Sequence, residues 1–561
     1  MSSFSITRMC LVLWLLSSLI YLPFIKNQLV WDDEQFIYNN SYVRQFELKK
    51  LWTENTIAGA GEVSNYYRPL TSLSFAIDFQ FWGINPVGYH LTNLLLHSIA
   101  GTLLLLFLRA LKLSPLAAFA IAAIFITHPV QTEAVTYANS RGDSLYTVFG
   151  FVSLIGLTQL LRRKNVELRF YNLHVILSEW HLVIITITTY WCSILSKEIG
   201  IALLGLHALV TVFFYLSSLT SAITKVSLKK FLTPALMTTL TACLVSALFY
   251  LLLRATILNF HNSFDFYGQA NTQYSGQLET RMLTFSKILW IYLKLLLIPY
   301  PLHMERSTEL VNTFLSPWPI LTISTLLILL AAGYSEWRSH QRTWIWFALG
   351  WVAIMLSPVS GILPINGLLY EHWLYTPVIG FSLLGYALFK LTPFTLPRQV
   401  ALACLAAILS CLVLLSWRQN FIWSSPIRLY THILQYSQTA RVHNNLAMAY
   451  AETGEQNKAI EHYQKALEIS NIYPQIHYNL ANTLSAQGEI EKAIESYRQA
   501  LALSAQFEPA YFKLIQLFVL RKEWENANKV LKEWSAQNPD PQNLVEAERF
   551  IETSRNLQSV P

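Results

Sequence analysis

The residues best suited to chemistry are the adjacent acids of WDDEQF, positions 31–36. Asp32 and Asp33, with Glu34 behind them, follow an apolar run at 9–25. Extended toward Val30, that run reaches the roughly 20 residues that span a bilayer. Carboxylates at a membrane edge cost free energy unless they are solvated, paired or used. Further polar residues recur on a few connections between apolar stretches. They are Tyr66, Tyr67 and Arg68; His128, Gln131, Glu133, Asn139, Arg141 and Asp143; Lys197 and Glu198; and Glu371 and His372. Acids beside cations at one depth suit transfer of a sugar from a lipid phosphate. Cations such as Arg68, Arg141 and Lys197 would hold the phosphate leaving group. Asp32 or Asp33 would take the acceptor hydroxyl proton as C1 of the sugar is attacked.

Each of these residues also has a structural reading. An aspartate at 32 or 33 makes a good helix cap. Lys197 and Glu198 could form an interfacial ion pair. His128 before Pro129 could be a satisfied turn histidine, and Arg141-Gly142-Asp143 a capped turn. Two neighbouring aspartates could hold a divalent ion, although no cofactor and no metal is expected. There is no glycine-rich phosphate loop and no nucleotide fingerprint, which favours a lipid-linked donor over a soluble nucleotide sugar.

The elements that must position these groups are apolar helices. Hydrophobic residues make up 53% of the 561 and charged ones 13%, and mean hydropathy is +0.36. That excludes a disordered chain and an ordinary soluble enzyme, and indicates a polytopic membrane protein. The net charge of +7 belongs to cytoplasmic loops rather than to nucleic-acid binding. Cys10, Cys192, Cys243, Cys404 and Cys411 all lie in apolar segments without metal-ligand spacing. The first span lacks a small-x-small cleavage site and reads as a retained anchor.

Later apolar segments fall at 90–108, 115–127, 145–161, 173–195, 199–219 and 234–253. After a polar loop come 283–298, 317–332, 344–363, 373–389 and 400–417. Runs this long span as helices. Arg109 and Lys112, then Arg162, Arg163 and Lys164, then Lys225, Lys229 and Lys230 mark loops expected to face the cytoplasm. So do Arg338 and Arg342, and Lys390 and Arg398. The N-terminus is then cytoplasmic and WDDEQF outside. Segment 283–298, carrying Lys287 and Lys294, is expected to be interfacial or re-entrant. About eleven crossings remain, which puts the C-terminal part on the non-cytoplasmic side.

Composition changes beyond Arg418. A linker at 419–438 leads into a 34-residue repeat over 439–537. Asn445-Leu446 recurs as Asn479-Leu480, Gly454 as Gly488, and Ala459 as Ala493 and Ala527. Tyr463 recurs as Tyr497, Ala466 as Ala500, and Pro474 and Pro509 open successive units. This pattern predicts two regular tetratricopeptide repeats and a degenerate third. A capping helix and tail should fill 538–561. Such arrays form a concave surface for peptide or protein segments.

The order WDD, YYRPL with SLSFAIDFQFWGINPVGYHLTNLLLH, HPVQTEAV, NSRGD, SKEIG, EHWLYTP and then the repeats resembles the transmembrane and tetratricopeptide-repeat glycosyltransferases. That family is similar to protein O-mannosyltransferases with the membrane fold called GT-C. The resemblance implies an all-α, GT-C-type bundle over 1–418 followed by the repeat solenoid. It implies that Asp32-Asp33 is the catalytic centre, and that His128, Glu133, Lys197 and Glu198 serve the donor site. Family members often carry Glu-Arg where this chain has Glu371-His372, which weakens a phosphate clamp there. The resulting expectation is an integral membrane glycosyltransferase. It would move a sugar from a polyprenyl-phosphate donor to hydroxyls of an acceptor polypeptide on the non-cytoplasmic face. A bacterial plasma membrane is favoured over the endoplasmic reticulum. The alternatives are a non-catalytic scaffold that recruits partners through its repeats, or the same fold acting on a lipid or cell-wall glycan.

Overall fold

A computed structural model describes residues 5–62, 64–162, 166–170, 173–219, 231–256, 274, 276–306, 308–340, 343–362, 367–394, 396–537 and 540–558. The chain divides into two compact units, Met1–Ser425 and Pro426–Pro561. Of the basic loops named above, Arg163, Lys164, Lys225, Lys229, Lys230 and Arg342 lie outside the described residues.

The longer helices of the first unit are α1 (Ile6–Tyr21), α2 (Pro69–Trp82), α3 (Pro86–Ala110), α4 (Pro115–Thr127), α5 (Arg141–Arg162), α6 (Glu179–Ser196) and α7 (Leu203–Leu219). They continue with α8 (Pro234–Ala255), α9 (Leu278–Leu297), α10 (Pro317–His340), α11 (Trp344–Leu356), α12 (Pro377–Leu391) and α13 (Arg398–Ile422). Their starts are written locally. Asn85, Ser114 and Thr233 each accept a backbone N–H of the first turn, with proline directly after the cap. Proline fits there because its missing N–H would have no helical partner.

Among the described residues, seven helices are long and apolar enough to cross a membrane. The count is eight if α4 and the following Pro129–Thr136, bent by 52°, form one broken span. The helices α11 and α12, with 13 and 15 residues, are shorter than the roughly 20 residues of a full crossing. Where α4 breaks, Pro129 forces a new start, and the chain turns through Pro129–Gln131 into the short helix Thr132–Thr136. The core is aromatic: Phe107, Phe151 and Trp351 pack at centroid distances of 5.9–6.4 Å.

Three expected segments take another form. Residues 173–177, expected at the head of a span, form a strand paired antiparallel with Val166–Phe170. Their run of β-branched and apolar residues suits a hairpin as well as a helix, and helix α6 starts only at Glu179. WDDEQF is folded rather than a simple loop. Trp31 takes φ 59°, and Glu34–Tyr38 forms a π-helical turn. The expected linker 419–438 is filled by the end of α13 and by α14 (Pro426–Leu434), which buries Leu429, Tyr430 and Ile433.

The second unit continues with helix pairs α15–α16 (Ala440–Glu452, Gln456–Ile469), α17–α18 (Pro474–Ala486, Ile490–Leu503) and α19–α20 (Glu508–Leu520, Trp524–Ser535). Helix α21 (Pro541–Gln558) ends it. Ala459, Ala493 and Ala527 are fully buried at the crossings, where a larger side chain would force the helices apart. Gly454 and Gly488 close their turns at φ 83° and 82°, and Lys522 stands in the corresponding third turn at φ 60°. The degenerate repeat therefore keeps the backbone of the other two but places a strained residue at the glycine position.

Candidate active site

The two acids have different surroundings. The Asp33 side chain points inward, and the residue is 1% exposed. One carboxylate oxygen accepts the Val30 N–H at 3.0 Å, and the other accepts the Asn139 N–H at 2.8 Å. Burial pushes the Asp33 carboxyl up to about 7, and neighbouring Asp32 adds to this. The Val30 and Asn139 N–H groups act against it. Asp32 is exposed. Its backbone N–H donates to the Tyr137 hydroxyl at 3.2 Å, and Tyr137 packs on Trp423 at 5.7 Å. Thus Asp33 ties the turn to the segment 137–139, and Asp32 is carried outward on it.

The NSRGD stretch is the hub of the site. The Asn139 N–H holds Asp33. Arg141 is fully buried and pairs with Asp78 at 2.6 Å. Its Nε donates to Asn93 Oδ1 at 2.7 Å, and its Nη atoms donate to Ser74 Oγ and the Tyr89 carbonyl. Asp143 accepts from Lys197 Nζ at 2.7 Å. Gly142 lets the two segments approach: a Cβ there would lie 3.2 Å from the Ser196 carbonyl oxygen. Four steps along 3-10 and α-helix lead from Asn139 to Asp143, about 6–8 Å of rise. A short rigid element therefore carries the acid pair at one end and the buried ammonium at the other.

Around Lys197 each cation is anchored by a carboxylate. Arg68 uses Nε on Glu198 at 2.9 Å and lies over the Tyr66 ring at 4.4 Å. Arg254 approaches the same glutamate at 3.9 Å, and Glu198 also accepts the Tyr67 N–H at 3.2 Å. Arg306 places Nη2 on Glu371 Oε1 at 2.6 Å and Nε on the same oxygen at 3.2 Å. Glu133 accepts the N–H groups of Glu371 and His372, both at 3.1 Å, and meets His372 Nδ1 at 2.6 Å. Burial, with Lys197 and Arg68 nearby, pulls His372 down to about 3, so the ring is neutral near pH 7. Burial also pulls the Lys197 ammonium down, while Asp143 opposes it. These groups feel one another: Lys197, Asp143 and Arg68 act on His372, and Lys197 and Arg306 act on Glu133.

Arg68, Glu133, Lys197 and Glu198 are thus brought into one charged cluster. Two other expected donor-site residues are placed elsewhere. All the contacts of Arg141 are internal, because its whole guanidinium is spent on Asp78, Asn93, Ser74 and the Tyr89 carbonyl. It braces α2, α3 and α5 rather than facing a ligand. His128 is likewise satisfied: Nδ1 accepts the Val130 N–H at 3.2 Å, and Nε2 donates to the Leu296 carbonyl at 3.1 Å. It caps the turn that begins at Pro129. Arg306 was missed by sequence reasoning. Its signal was a lone arginine in the polar loop after segment 283–298, and it supplies beside Glu371 the cation that position 372 lacks.

Comparison with known proteins follows this division of the chain. A family model described as TPR repeat matches residues 447–488, and one described as Tetratricopeptide repeat matches 474–507. The curated relatives are named protein O-mannosyl-transferases. The Caenorhabditis elegans protein O-mannosyl-transferase F38B6.6 is 25% identical over 83% of this chain and 64% of its own. Human protein O-mannosyl-transferase TMTC4 is 26% identical over 77% and 62%, respectively. Mouse TMTC3 is 24% identical over 78% and 49%. The chain therefore spans between half and two thirds of the length of these relatives. Among solved structures, ArnT from Cupriavidus metallidurans bound to undecaprenyl phosphate covers 91% of this chain and 80% of its own. Its TM-score is 0.39 at 14% identity, a likeness too slight to bear on fold or ligand.

Proposed function

We propose that the chain is an integral membrane glycosyltransferase of GT-C type. It moves a sugar from a polyprenyl-phosphate carrier to a polypeptide hydroxyl on the non-cytoplasmic face. The observations that support this reading are the cluster of carboxylate-anchored cations Arg68, Lys197 and Arg306 and, on the folded WDDEQF turn, the exposed carboxylate Asp32. The O-mannosyl-transferase relatives agree with it, and the basic residues Arg109, Lys112, Lys390 and Arg398 are consistent with the orientation.

In this reading Asp32 accepts the acceptor O–H proton while the hydroxyl oxygen bonds to C1 of the sugar. The C1–O bond to the phosphate breaks, and its electron pair leaves on the phosphate oxygen. The polyprenyl phosphate gains one negative charge, which Arg68, Lys197 and Arg306 stabilise. Cations already anchored suit this role, because their carboxylate partners fix them in place before the charge develops. Asp33 is a positioning residue: its two backbone contacts hold the turn that presents Asp32. Glu133 holds the 371–372 turn, and Glu198 holds Arg68. The repeats bind the acceptor polypeptide or a partner on their concave face.

The test is transfer from a labelled polyprenyl-phosphate sugar to a serine- and threonine-rich peptide, using purified protein in detergent or liposomes. Parent protein transfers label and Asp32→Asn does not. Absence of transfer by the parent across mannose, glucose and N-acetylhexosamine donors removes the reading.

A further inference from the structure

Glu371 holds Arg306 unevenly. Its Oε1 accepts Arg306 Nη2 at 2.6 Å, Arg306 Nε at 3.2 Å and the His303 N–H at 2.7 Å. Among the described residues, its Oε2 accepts no hydrogen bond. A carboxylate spreads its charge over two oxygens and frequently meets an arginine with both. Three donors on one oxygen suit a neutral carboxylic acid equally well. The carbonyl oxygen of the acid accepts them, and the hydroxyl takes the other position. A proton on Oε2 therefore leaves every anchor of Arg306 in place. On Arg306, Nη2 also donates to the Pro301 carbonyl, and Nη1 makes no hydrogen bond among the described residues. Arg141, by contrast, has its whole guanidinium spent.

The surroundings disfavour a further negative charge there. Glu371 is 2% exposed. Its own N–H and that of His372 both donate to Glu133 Oε2, so two carboxyl groups meet at one short turn. The titratable groups around Glu371 come from four places. Arg306 and His303 lie in the loop after α9, and Glu133 lies in Thr132–Thr136. Neutral His372 follows in the chain, and Tyr292 of α9 donates its hydroxyl to the Tyr370 carbonyl at 3.4 Å. Burial pushes the Glu371 carboxyl up; Arg306 opposes this, and Glu133 adds to it. Arg306 is the one guanidinium or ammonium in this group. It cannot neutralise Glu371 and an incoming phosphate at once.

We infer that Glu371 takes up one proton when the lipid-phosphate donor binds, which releases the charge of Arg306 to the phosphate while Arg306 stays in place. The inference rests on the polyprenyl-phosphate donor proposed above. The proton comes from solvent and goes onto Glu371 Oε2. Arg306 keeps its own protons, and the phosphodiester remains a monoanion. A phosphate beside Arg306 is a like charge to Glu371 and drives the carboxyl further toward its neutral form. Glu371 is then a positioning residue, and donor affinity depends on pH. Affinity is level wherever Glu371 is already protonated in the free protein. Above that range it falls by up to about tenfold per pH unit, the slope for one proton.

The test is calorimetry of the full chain in detergent, titrated with geranyl-phosphate mannose in the absence of acceptor peptide. This donor is a phosphodiester. It lacks the step at about pH 6 where a phosphate monoester titrates, so the protons counted belong to the protein. Each titration is run in two buffers of different ionisation enthalpy, which gives the protons taken up per donor bound. The expected uptake is most of one proton at about pH 8 and little at about pH 6, with Kd several-fold weaker at the higher pH. Glu371→Gln keeps an acceptor oxygen for the three N–H groups and mimics the neutral acid. It should bind at about pH 8 as tightly as the parent at about pH 6, with no proton uptake. Binding by the parent without uptake at either pH overturns the inference, and that arm needs no variant. Equal uptake by parent and Glu371→Gln assigns the proton to another group and overturns it too. Weaker binding by Glu371→Gln at every pH marks a structural role alone and also overturns it. Absence of binding by the parent removes the donor reading and this inference with it, so the two failures are distinguishable.

Discussion

Exchanging the acid pair one residue at a time separates chemistry from support. In Asp33→Asn the amide keeps one acceptor oxygen but presents an NH2 group where the second N–H now finds a carboxylate oxygen. Those contacts, 2.8 Å from Asn139 and 3.0 Å from Val30, are buried. One backbone N–H therefore loses its acceptor, at about 1–3 kcal/mol. Asp32→Asn leaves these bonds in place and removes an exposed carboxylate. Loss of a general base lowers rate by about 10²–10⁴-fold, or about 3–5 kcal/mol on the barrier. The assay pairs unfolding in detergent, followed by tryptophan fluorescence, with initial transfer rates at saturating donor. Asp33→Asn should unfold at lower temperature, and Asp32→Asn should unfold like the parent with kcat collapsed. The assignment of roles fails if Asp32→Asn keeps the parent kcat, or if Asp33→Asn is thermally silent yet inactive. The pH dependence adds a check. With the folded value raised to about 7, the folded state binds the Asp33 proton more tightly than the unfolded chain. The associated stability is full below the unfolded value of about 4 and is lost as pH rises through about 7. The stability advantage of the parent over Asp33→Asn should therefore shrink between those limits.

Further outcomes follow from the charged contacts and the repeats. Arg306→Gln should raise donor KM about tenfold or more, while its partner Glu371 keeps the His303 N–H contact at 2.7 Å; kinetics with short and long donors should change alike. Arg141→Met should destabilise the first unit by about 3–5 kcal/mol by stranding buried Asp78. Arg141→Met with Asp78→Leu should recover much of that, as read by thermal unfolding. Lys522→Gly should stabilise the second unit by up to about 1 kcal/mol, relief at φ 60° outweighing the added freedom of the unfolded chain. Gly488→Ala should cost about 1 kcal/mol or more at φ 82°; both are measured by thermal unfolding.

The sequence by itself determined what repeats or runs locally. Apolar stretches marked the helices, Pro after Asn85, Ser114 and Thr233 marked their starts, and the 34-residue period marked the three helix pairs. These signals work because hydrophobic burial and capping act over a few residues. The acid pair was legible as chemistry for the same local reason: two adjacent carboxylates directly after a span. Which acid faces outward was decided only in three dimensions, because it depends on Asn139, 106 positions away from Asp33. Arg141 and Arg306 looked alike as lone arginines in polar connections. Asp78 consumes the first, while Glu371, 65 positions from Arg306, only orients the second. Contacts across such separations follow from how whole helices pack, and no local spacing encodes them.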